Sequence, residues 1–300
     1  MTWALRTILA ATDLGGASDD VVRSAALLAE RSGAALYLIH SLELPGVPSD
    51  EVMRRAGFFE QIASAKERLE EQVRRTMPAG LRPSGQEVIM YVAHKAIVER
   101  ARDVGADLIV VGPHRGGGVG AHFIGTTADR VIRTAGVPCM IARGSMEKGI
   151  RRIGVALDLS ESSPETLAAA MALDARLAEA GDGERLARIH VMHAGWSAEM
   201  NDDLEERVIR PALAAQVEGA RSRTQGGKDL PVEIEVLWAN EPVDCIVRWA
   251  SKRGLDLLVM GTEGRSGLKR AILGSIASRV SRQVSCPVLL VPPGTERGEE

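Results

Sequence analysis

The segment DLLVMG at Asp256–Gly261 closely repeats an earlier segment, DLIVVG at Asp107–Gly112. Gly261 follows Gly112 by 149 residues, and each segment is an apolar run between an aspartate and a glycine. Short, nearly continuous apolar runs are typical of parallel strands that helices cover on both faces. The sequence therefore predicts two copies of one α/β unit.

Two further pairs of segments match between the halves of the chain. GTTADRV at Gly125–Val131 corresponds to GSIASRV at Gly274–Val280, and TILAATD at Thr7–Asp13 corresponds to IGVALD at Ile153–Asp158. A repeat of this length indicates duplicated domains rather than a solenoid of small repeats.

A boundary between the two domains falls near Arg143–Gly149, a polar stretch with two glycines that suits a linker. We expect one domain over residues 1–144 and another over residues 150–293. Alternation of strands and helices predicts a doubly wound, five-stranded parallel sheet in each, with helices on both faces. The strands expected in the first domain are Thr7–Thr12, Ala35–Ser41, Glu87–Val92, Asp107–Val111 and Pro138–Ala142.

Serines mark the start of the first helix in each domain. Ser18 is the expected N-cap of a helix over Ser18–Arg31, which Gly33 ends. Ser163 is the expected N-cap of the matching helix, with Pro164 at its first position.

The segment from Gly261 to Ser275, GTEGRSGLKRAILGS, carries three spaced glycines. Glycines at the carboxyl end of a strand let backbone N–H groups approach an anion closely. Gly274–Ser275 opens the next predicted helix, whose first N–H groups lack partners and whose dipole favours negative charge. Two such elements one loop apart suit a polyphosphate.

The glycine spacing, GxxG followed by nine residues and Gly-Ser, resembles the ATP-binding motif of the universal stress protein family. The resemblance extends to an aspartate after the first strand and to a last strand reading CPVLLV, and it covers both halves. It implies a tandem member with the adenine nucleotide alpha hydrolase-like fold, binding ATP with or without Mg²⁺. Carried over to the second domain, it places Ala156, Asp158 and Ala194 beside the adenosine, Gly261, Gly264, Gly274 and Ser275 around ribose and phosphates, and Arg265 where it can screen phosphate charge.

The first domain has the same frame with one departure, because Arg115 stands where the second domain has its second glycine. Its side chain either blocks the close approach of the backbone or reaches out to a phosphate. The run Gly116–Gly118 offers the missing freedom one residue later. The positions that would hold a nucleotide in this domain are Asp13, Gly112, Gly125 and Thr126.

The resemblance also implies that the domains pair through their last strands, antiparallel and edge to edge. Pro138–Ala142 and Pro287–Val291 would then pair within one chain, and two chains could associate further as a homodimer. Such pairing hides two sheet edges that would otherwise be exposed.

Cysteines and histidines give no sign of a metal or redox site in the sequence. Cys139, Cys245 and Cys286 lack CxxC spacing and are expected to be buried thiols. His40 and His193 hold matching positions and are expected to pack or hydrogen-bond within the fold, since no second His or Cys stands at metal-ligand spacing.

Composition and motifs favour binding over catalysis. Hydrophobic residues make up 45% and the net charge is −3, a globular composition that gives no support for a nucleic-acid or membrane surface. The start of the chain lacks a signal-peptide pattern, so we expect a cytoplasmic protein. No Walker lysine is present. An ATP pyrophosphatase or an adenylyl transferase would need an SGGxDS-like loop or HIGH and KMSKS signatures, and the sequence contains none of these. We expect a stress-response or regulatory protein that binds ATP in the second domain, hydrolysing it slowly if at all; the alternative is a dimerisation or partner-interaction module that binds no nucleotide.

Replacing Gly264 by Arg, which copies Arg115 of the first domain, is expected to abolish most ATP binding. A side chain at this glycine would keep the backbone away from the phosphates. Isothermal titration calorimetry measures the effect, and an unchanged affinity would contradict the role given to this glycine. The purified protein should carry at most two nucleotides per chain, and one is the expected number. Mass spectrometry of the molecule that co-purifies distinguishes ATP, AMP, another ligand and none.

Overall fold

The computed structural model of the chain describes residues 3–43, 57–113, 125–144, 146, 149–179, 188–224, 230–263 and 273–294. The predicted site residues Gly264 and Arg265, and Arg115 with the glycines after it, lie outside these ranges. The described segments form a single ten-stranded sheet in the order β3-β2-β1-β4-β5-β10-β9-β6-β7-β8.

The first half supplies five parallel strands in the order β3-β2-β1-β4-β5. The chain moves outward from β1 to β3 and then returns to the other side of β1, as in a doubly wound sheet. Its elements are β1 (Thr7–Ala11), α1 (Asp19–Ser32), β2 (Ala35–Leu42), α2 (Phe58–Thr76), β3 (Gly85–Met90), α3 (Ala93–Asp103), β4 (Leu108–Val111), α4 (Thr126–Thr134) and β5 (Cys139–Ile141).

The second half repeats this order as β8-β7-β6-β9-β10. Its β7 is longer than β2, and it is followed by a short 3-10 turn (Ser197–Glu199), a helical turn (Asp202–Leu204) and a π-helical segment (Glu205–Ile209) that leads into α6. The remaining elements are β6 (Arg152–Leu157), α5 (Ser163–Glu179), β7 (Arg188–Trp196), α6 (Arg210–Arg223), β8 (Val232–Ala239), α7 (Pro242–Arg253), β9 (Leu257–Gly261), α8 (Ser275–Gln283) and β10 (Val288–Val291).

The two half-sheets meet at β5 and β10, which pair antiparallel with Met140 opposite Leu289. Both side chains are buried. Buried Arg143 donates to the carbonyl of Ser281 in α8, and α1 packs against α5 across the same joint. Because the joint is antiparallel, the carboxyl ends of the strands lie at opposite edges of the sheet in the two halves.

Helices cover both faces of the sheet, which confirms the predicted doubly wound α/β fold. One face carries α1, α2, α5 and α6, and the other carries α3, α4, α7 and α8. Successive residues of β1 alternate between the two cores, with Ile8 and Ala10 in one and Leu9 in the other. In the described part of the chain, no helix has the length and apolar character of a membrane span.

The third strand lies two residues earlier than the sequence predicts, at Gly85–Met90 rather than Glu87–Val92. The apolar pattern extends past the strand because Val92 is the extended residue that precedes α3, and its carbonyl accepts the N–H of Ala96. The strand begins at Gly85 because that residue pairs with Tyr37, whose ring would lie 2.9 Å from a Cβ at Gly85. Pairing with β2 therefore sets this boundary.

Replacing Gly154 in β6 by Ala should lower the free energy of unfolding by about 1–3 kcal/mol, because the new methyl group overpacks the core. A Cβ there would collide with Leu255 and lie 2.8 Å from the Trp249 ring. The matched control is Gly219→Ala in α6, where a Cβ meets nothing within 4 Å and helix propensity should add about 0.5–1 kcal/mol. Urea denaturation measures both, and equal effects of the two substitutions would contradict this packing.

Candidate functional site

A cavity of about 580 Å³ opens at the carboxyl ends of β6, β7 and β9 in the second half. In open α/β sheets, ligands enter at this edge, where the chain connections diverge to either side. The cavity is lined by every predicted site residue of the second half that the structure describes: Ala156, Asp158, Ala194, Gly261, Gly274 and Ser275.

One end of the cavity is formed by the start of α8. The N–H of Gly274 donates to the carbonyl of Thr262 (2.7 Å), which holds the helix start beside the end of β9. The first helical bond runs from the Ser278 N–H to the Gly274 carbonyl, so the N–H groups of residues 275–277 have no acceptor within the helix. Residues 275–277 all line the cavity. This end is suited to an anion.

Asp158 lies in the turn between β6 and α5. Its Oδ1 accepts hydrogen bonds from the Ser160 N–H (3.0 Å) and the Ser163 hydroxyl (3.2 Å). Leu159, which lies between Asp158 and Ser160, has a φ of 62°, in the left-handed region that a bulky side chain rarely adopts. Ser163 is the first residue of α5 rather than the residue before it, and its hydroxyl holds the carboxylate.

The first half contains the same turn after β1. Asp13 Oδ1 accepts from the Gly15 N–H (3.0 Å) and from the Ser18 hydroxyl (2.6 Å), and Leu14 has a φ of 61°. Ser18 precedes α1 as predicted, but its hydroxyl bonds to Asp13 and makes no capping bond to the helix. A strained leucine at the same position of both halves costs about 1–3 kcal/mol each. Neither leucine stands out in the sequence, because an apolar residue after a strand is unremarkable there.

The wall of the larger cavity is apolar. Ala156, Met192 and Met260 come from three adjacent strands and are buried, and Ile246 of α7 closes the same side. A flat, weakly polar group can therefore rest on the strand ends while its polar substituents face the turn at Asp158.

The matched histidines stabilise the strand ends. His193 Nδ1 lies 2.9 Å from the Leu157 carbonyl, and His40 Nδ1 lies 2.9 Å from the Thr12 carbonyl. Both imidazoles are buried. They are hydrogen-bonded within the fold, as the sequence predicts.

A smaller cavity of about 340 Å³ occupies the matching edge of the first half. Its lining includes all four positions predicted for this half: Asp13, Gly112, Gly125 and Thr126. The first helical bond of α4 runs from the Asp129 N–H to the Gly125 carbonyl, so this cavity also faces a helix start. Two cavities in matching positions, different in size, thus lie at opposite edges of the sheet.

The π-helical segment beside the larger cavity is held by a cluster that sequence patterns do not reveal. The indole N–H of Trp238 donates to Glu205 (2.9 Å), and Arg210 pairs with the same carboxylate (2.6 Å). The hydrogen bond from Trp238 is the main reason that the pKa of Glu205 lies below its usual range, and the hydrogen bond from Arg210 lowers this pKa further. Val208 and Ile209 of this segment, and Leu204 of the helical turn before it, are part of the cavity lining.

A second polar cluster lies on β7 and β8, away from the cavity lining. His190, Glu233 and Glu235 each offer one possible ligand atom, and these three atoms lie within 4.8 Å of one another. A metal ion could fit this spacing. Arg253 already pairs with both carboxylates, at 3.1 Å and 2.7 Å. Its guanidinium supplies the positive charge that the carboxylates require.

The three cysteines are buried free thiols, as predicted. Burial raises the pKa of Cys139 to about 12 and that of Cys286 to about 11. Burial also raises the pKa of Cys245. Thiols that remain protonated are poor nucleophiles and poor redox groups.

Two matches to one known family cover nearly the whole chain. The sequence model of the universal stress protein family matches residues 4–143 and again residues 149–292. The chain belongs to the universal stress protein family. As a universal stress protein with two tandem copies, it carries the family pattern on both sides of the β5–β10 joint.

Individual universal stress proteins are also similar to it. YxiE of Bacillus subtilis is 30% identical over 153 residues, covering 46% of this chain and 95% of that protein. A universal stress protein of Mycolicibacterium smegmatis is 27% identical over 192 residues, covering 63% of this chain and 62% of that protein.

Solved structures show the same tandem fold. A functionally unknown protein from Pseudomonas aeruginosa superposes with a TM-score of 0.68 at 20% identity, covering 97% of this chain and 94% of that one. A universal stress protein from Archaeoglobus fulgidus gives a TM-score of 0.66 at 17% identity, covering 96% and 98%. At these identities the likeness establishes the fold.

The pKa values of three histidines, of which His40 and His190 are buried, predict a loss of stability below neutral pH. Burial lowers the pKa of His40, although its bond to Thr12 acts in the opposite direction, and burial also lowers the pKa values of His94 and His190. In the unfolded chain the histidine pKa values are about 6.5, so around and below that pH the unfolded chain binds more protons than the folded chain. The contribution of these histidines to the free energy of unfolding is therefore fully present above that pH and is lost as the pH drops through it.

His40→Asn should make the fall in thermal midpoint between pH 7.5 and pH 5.5 shallower, because the amide can donate to Thr12 but does not titrate. The midpoints of variant and parent should differ by a constant amount above pH 7.5, where His40 is neutral in both states. Curves that stay parallel across the whole range would contradict a role for this imidazole in the pH dependence.

Proposed function

We propose that this protein is a cytoplasmic stress-response or regulatory protein that binds ATP at the edge of its second half. The observation that supports this most strongly is the convergence of Asp158, Gly261 and Gly274–Ser275 on one cavity. These residues come from two separate connections: the turn after β6, and the two ends of the connection between β9 and α8. Their chemistry corresponds to different parts of one nucleotide.

The cavity offers a suitable environment for each part of ATP. The unpaired N–H groups at the start of α8 and the Ser275 hydroxyl favour the phosphates. Asp158 can accept from donors of the adenosine, which are the ribose hydroxyls and the exocyclic amine. The apolar wall around Ala156 and Ala194 suits a purine ring, and about 580 Å³ lies within the usual range for small-molecule sites.

Gly264 and Arg265 complete the proposed site from the sequence alone. In the sequence they lie between Gly261 and Gly274, and both of those glycines line the cavity. We propose that Gly264 permits close approach of the backbone and that Arg265 screens phosphate charge.

We propose that the first half, residues 1–144, is a scaffold that binds nucleotide weakly or not at all. Its cavity is smaller, about 340 Å³ against about 580 Å³ for that of residues 150–293. Ser41 and Pro113 are part of its lining, and Arg115 replaces the second glycine of the motif. The role of this half is then to stabilise the second through the β5–β10 joint.

Isothermal titration calorimetry of the full chain, with and without Mg²⁺, is expected to find one ATP per chain. Asp158→Asn should weaken binding by about tenfold or more, because a hydrogen bond to a charged carboxylate is lost. The amide oxygen can still accept from Ser160 and Ser163, so the turn should persist. Asp13→Asn is the matched control in the other half and should leave the affinity unchanged.

Equal losses from the two substitutions would place binding in both halves, contrary to the proposed division. Absence of ATP binding by the unchanged chain would favour the alternative of a module that interacts with protein partners without a nucleotide. The release of phosphate in the same samples measures hydrolysis, which we expect to be slow.

A further inference from the structure

Three exposed apolar side chains surround the mouth of the larger cavity. Trp196 is 58% exposed, Val208 is 55% exposed and Ile276 is 40% exposed, and all three line the cavity. One exposed apolar side chain needs no explanation, but a group of them beside a cavity is typical of a ligand-binding or interaction site. Its position on the cavity rim points to the molecule that enters the cavity.

The sheet fixes the position of Trp196. It is the last residue of β7, paired with Ala239 of β8, and two residues after Ala194, so both side chains project from the same face of the strand. The preceding Gly195 lies against the ring of Trp238, where a Cβ would come within 2.7 Å of the indole. The strand end is thereby packed and cannot shift without displacing Trp238.

Another part of the rim is held by Trp238 as well. Val208 lies in the π-helical segment, whose first residue, Glu205, accepts the indole N–H of Trp238 and pairs with Arg210. Trp238 thus fixes the backbone beside Trp196 through Gly195 and the segment bearing Val208 through Glu205. π-helical turns frequently occur at functional sites.

The first half has a carboxylate where the second has this indole. His40 in β2 and His193 in β7 make the same hydrogen bond in their respective halves, so counting three residues onward from each places Glu43 at the position that corresponds to Trp196. Glu43 accepts the backbone N–H of Ala93 at the start of α3. The aromatic rim is therefore a property of the second half alone at this position.

We infer that Trp196 stacks on the base of the nucleotide bound in the second half and sets the preference of the site for a nucleoside over a bare phosphate chain. This inference rests on the function proposed above. Stacking on an aromatic side chain tolerates any base, because every base has a π-face. Trp196 should therefore strengthen ATP and GTP binding to a similar degree and leave the binding of inorganic tripolyphosphate unaffected.

Calorimetric titration of ATP, GTP and inorganic tripolyphosphate into the full chain tests the inference. Trp196→Ala is expected to weaken both nucleotides by about 5- to 100-fold, the range that loss of one stacked base produces. Trp196→Phe should restore most of that loss, and tripolyphosphate affinity should be the same throughout. The matched control is Met200→Ala. Met200 lies four residues after Trp196, is 65% exposed and is not among the residues lining the cavity.

The possible outcomes separate the inference from the proposed function. If the unchanged chain binds ATP and Trp196→Ala binds it equally well, the inference is wrong and the proposed function stands. An equal loss of tripolyphosphate binding would also overturn it, because the indole would then be supporting the phosphate end. If the unchanged chain binds no ATP, the proposed function fails and the inference fails with it.

Discussion

The strand order 3-2-1-4-5 is the constraint on which both halves of this protein depend. Connections after the central strand and after its neighbour leave toward opposite faces of the sheet, so a crevice opens between them. Asp13 and Asp158 follow the central strands β1 and β6, and Gly112 and Gly261 end or follow their neighbours β4 and β9. The same topology thus brings an aspartate and a glycine together twice, although more than 90 residues separate them in each half.

The antiparallel joint between β5 and β10 determines how the two crevices relate. It buries two strand edges against each other and leaves only β3 and β8 at the ends of the described sheet. Both of these strands carry glutamates, Glu87 in one and Glu233 and Glu235 in the other, and charged edge residues discourage pairing with further strands. Because the crevices lie at opposite edges, one small ligand cannot contact both, and each half can change its ligand chemistry independently.

The halves have diverged where the fold tolerates change. Buried strands and the paired turns at Leu14 and Leu159 are alike, since any alteration there disturbs the core or the aspartate. The described parts of the rims differ at one position: the second half has Trp196 where the first has Glu43 bonded to α3. Residues at a rim contact solvent or ligand rather than the core, so their replacement changes binding with little effect on folding.

The sequence by itself determined the duplication and the doubly wound fold, because apolar runs and their alternation with helical patterns are local or periodic features. The positions that line the larger cavity were predicted from the glycine spacing and from the resemblance to a known family. Tertiary structure decided the limits of β3, which pairing with Tyr37 sets, and the use of the Ser18 hydroxyl, which bonds to Asp13 instead of capping a helix. It also decided the place of Trp196, since nothing in a single exposed tryptophan indicates a cavity rim. That position follows from Trp238 packing on Gly195 and bonding Glu205, contacts between residues far apart in the chain that only a folded backbone brings together.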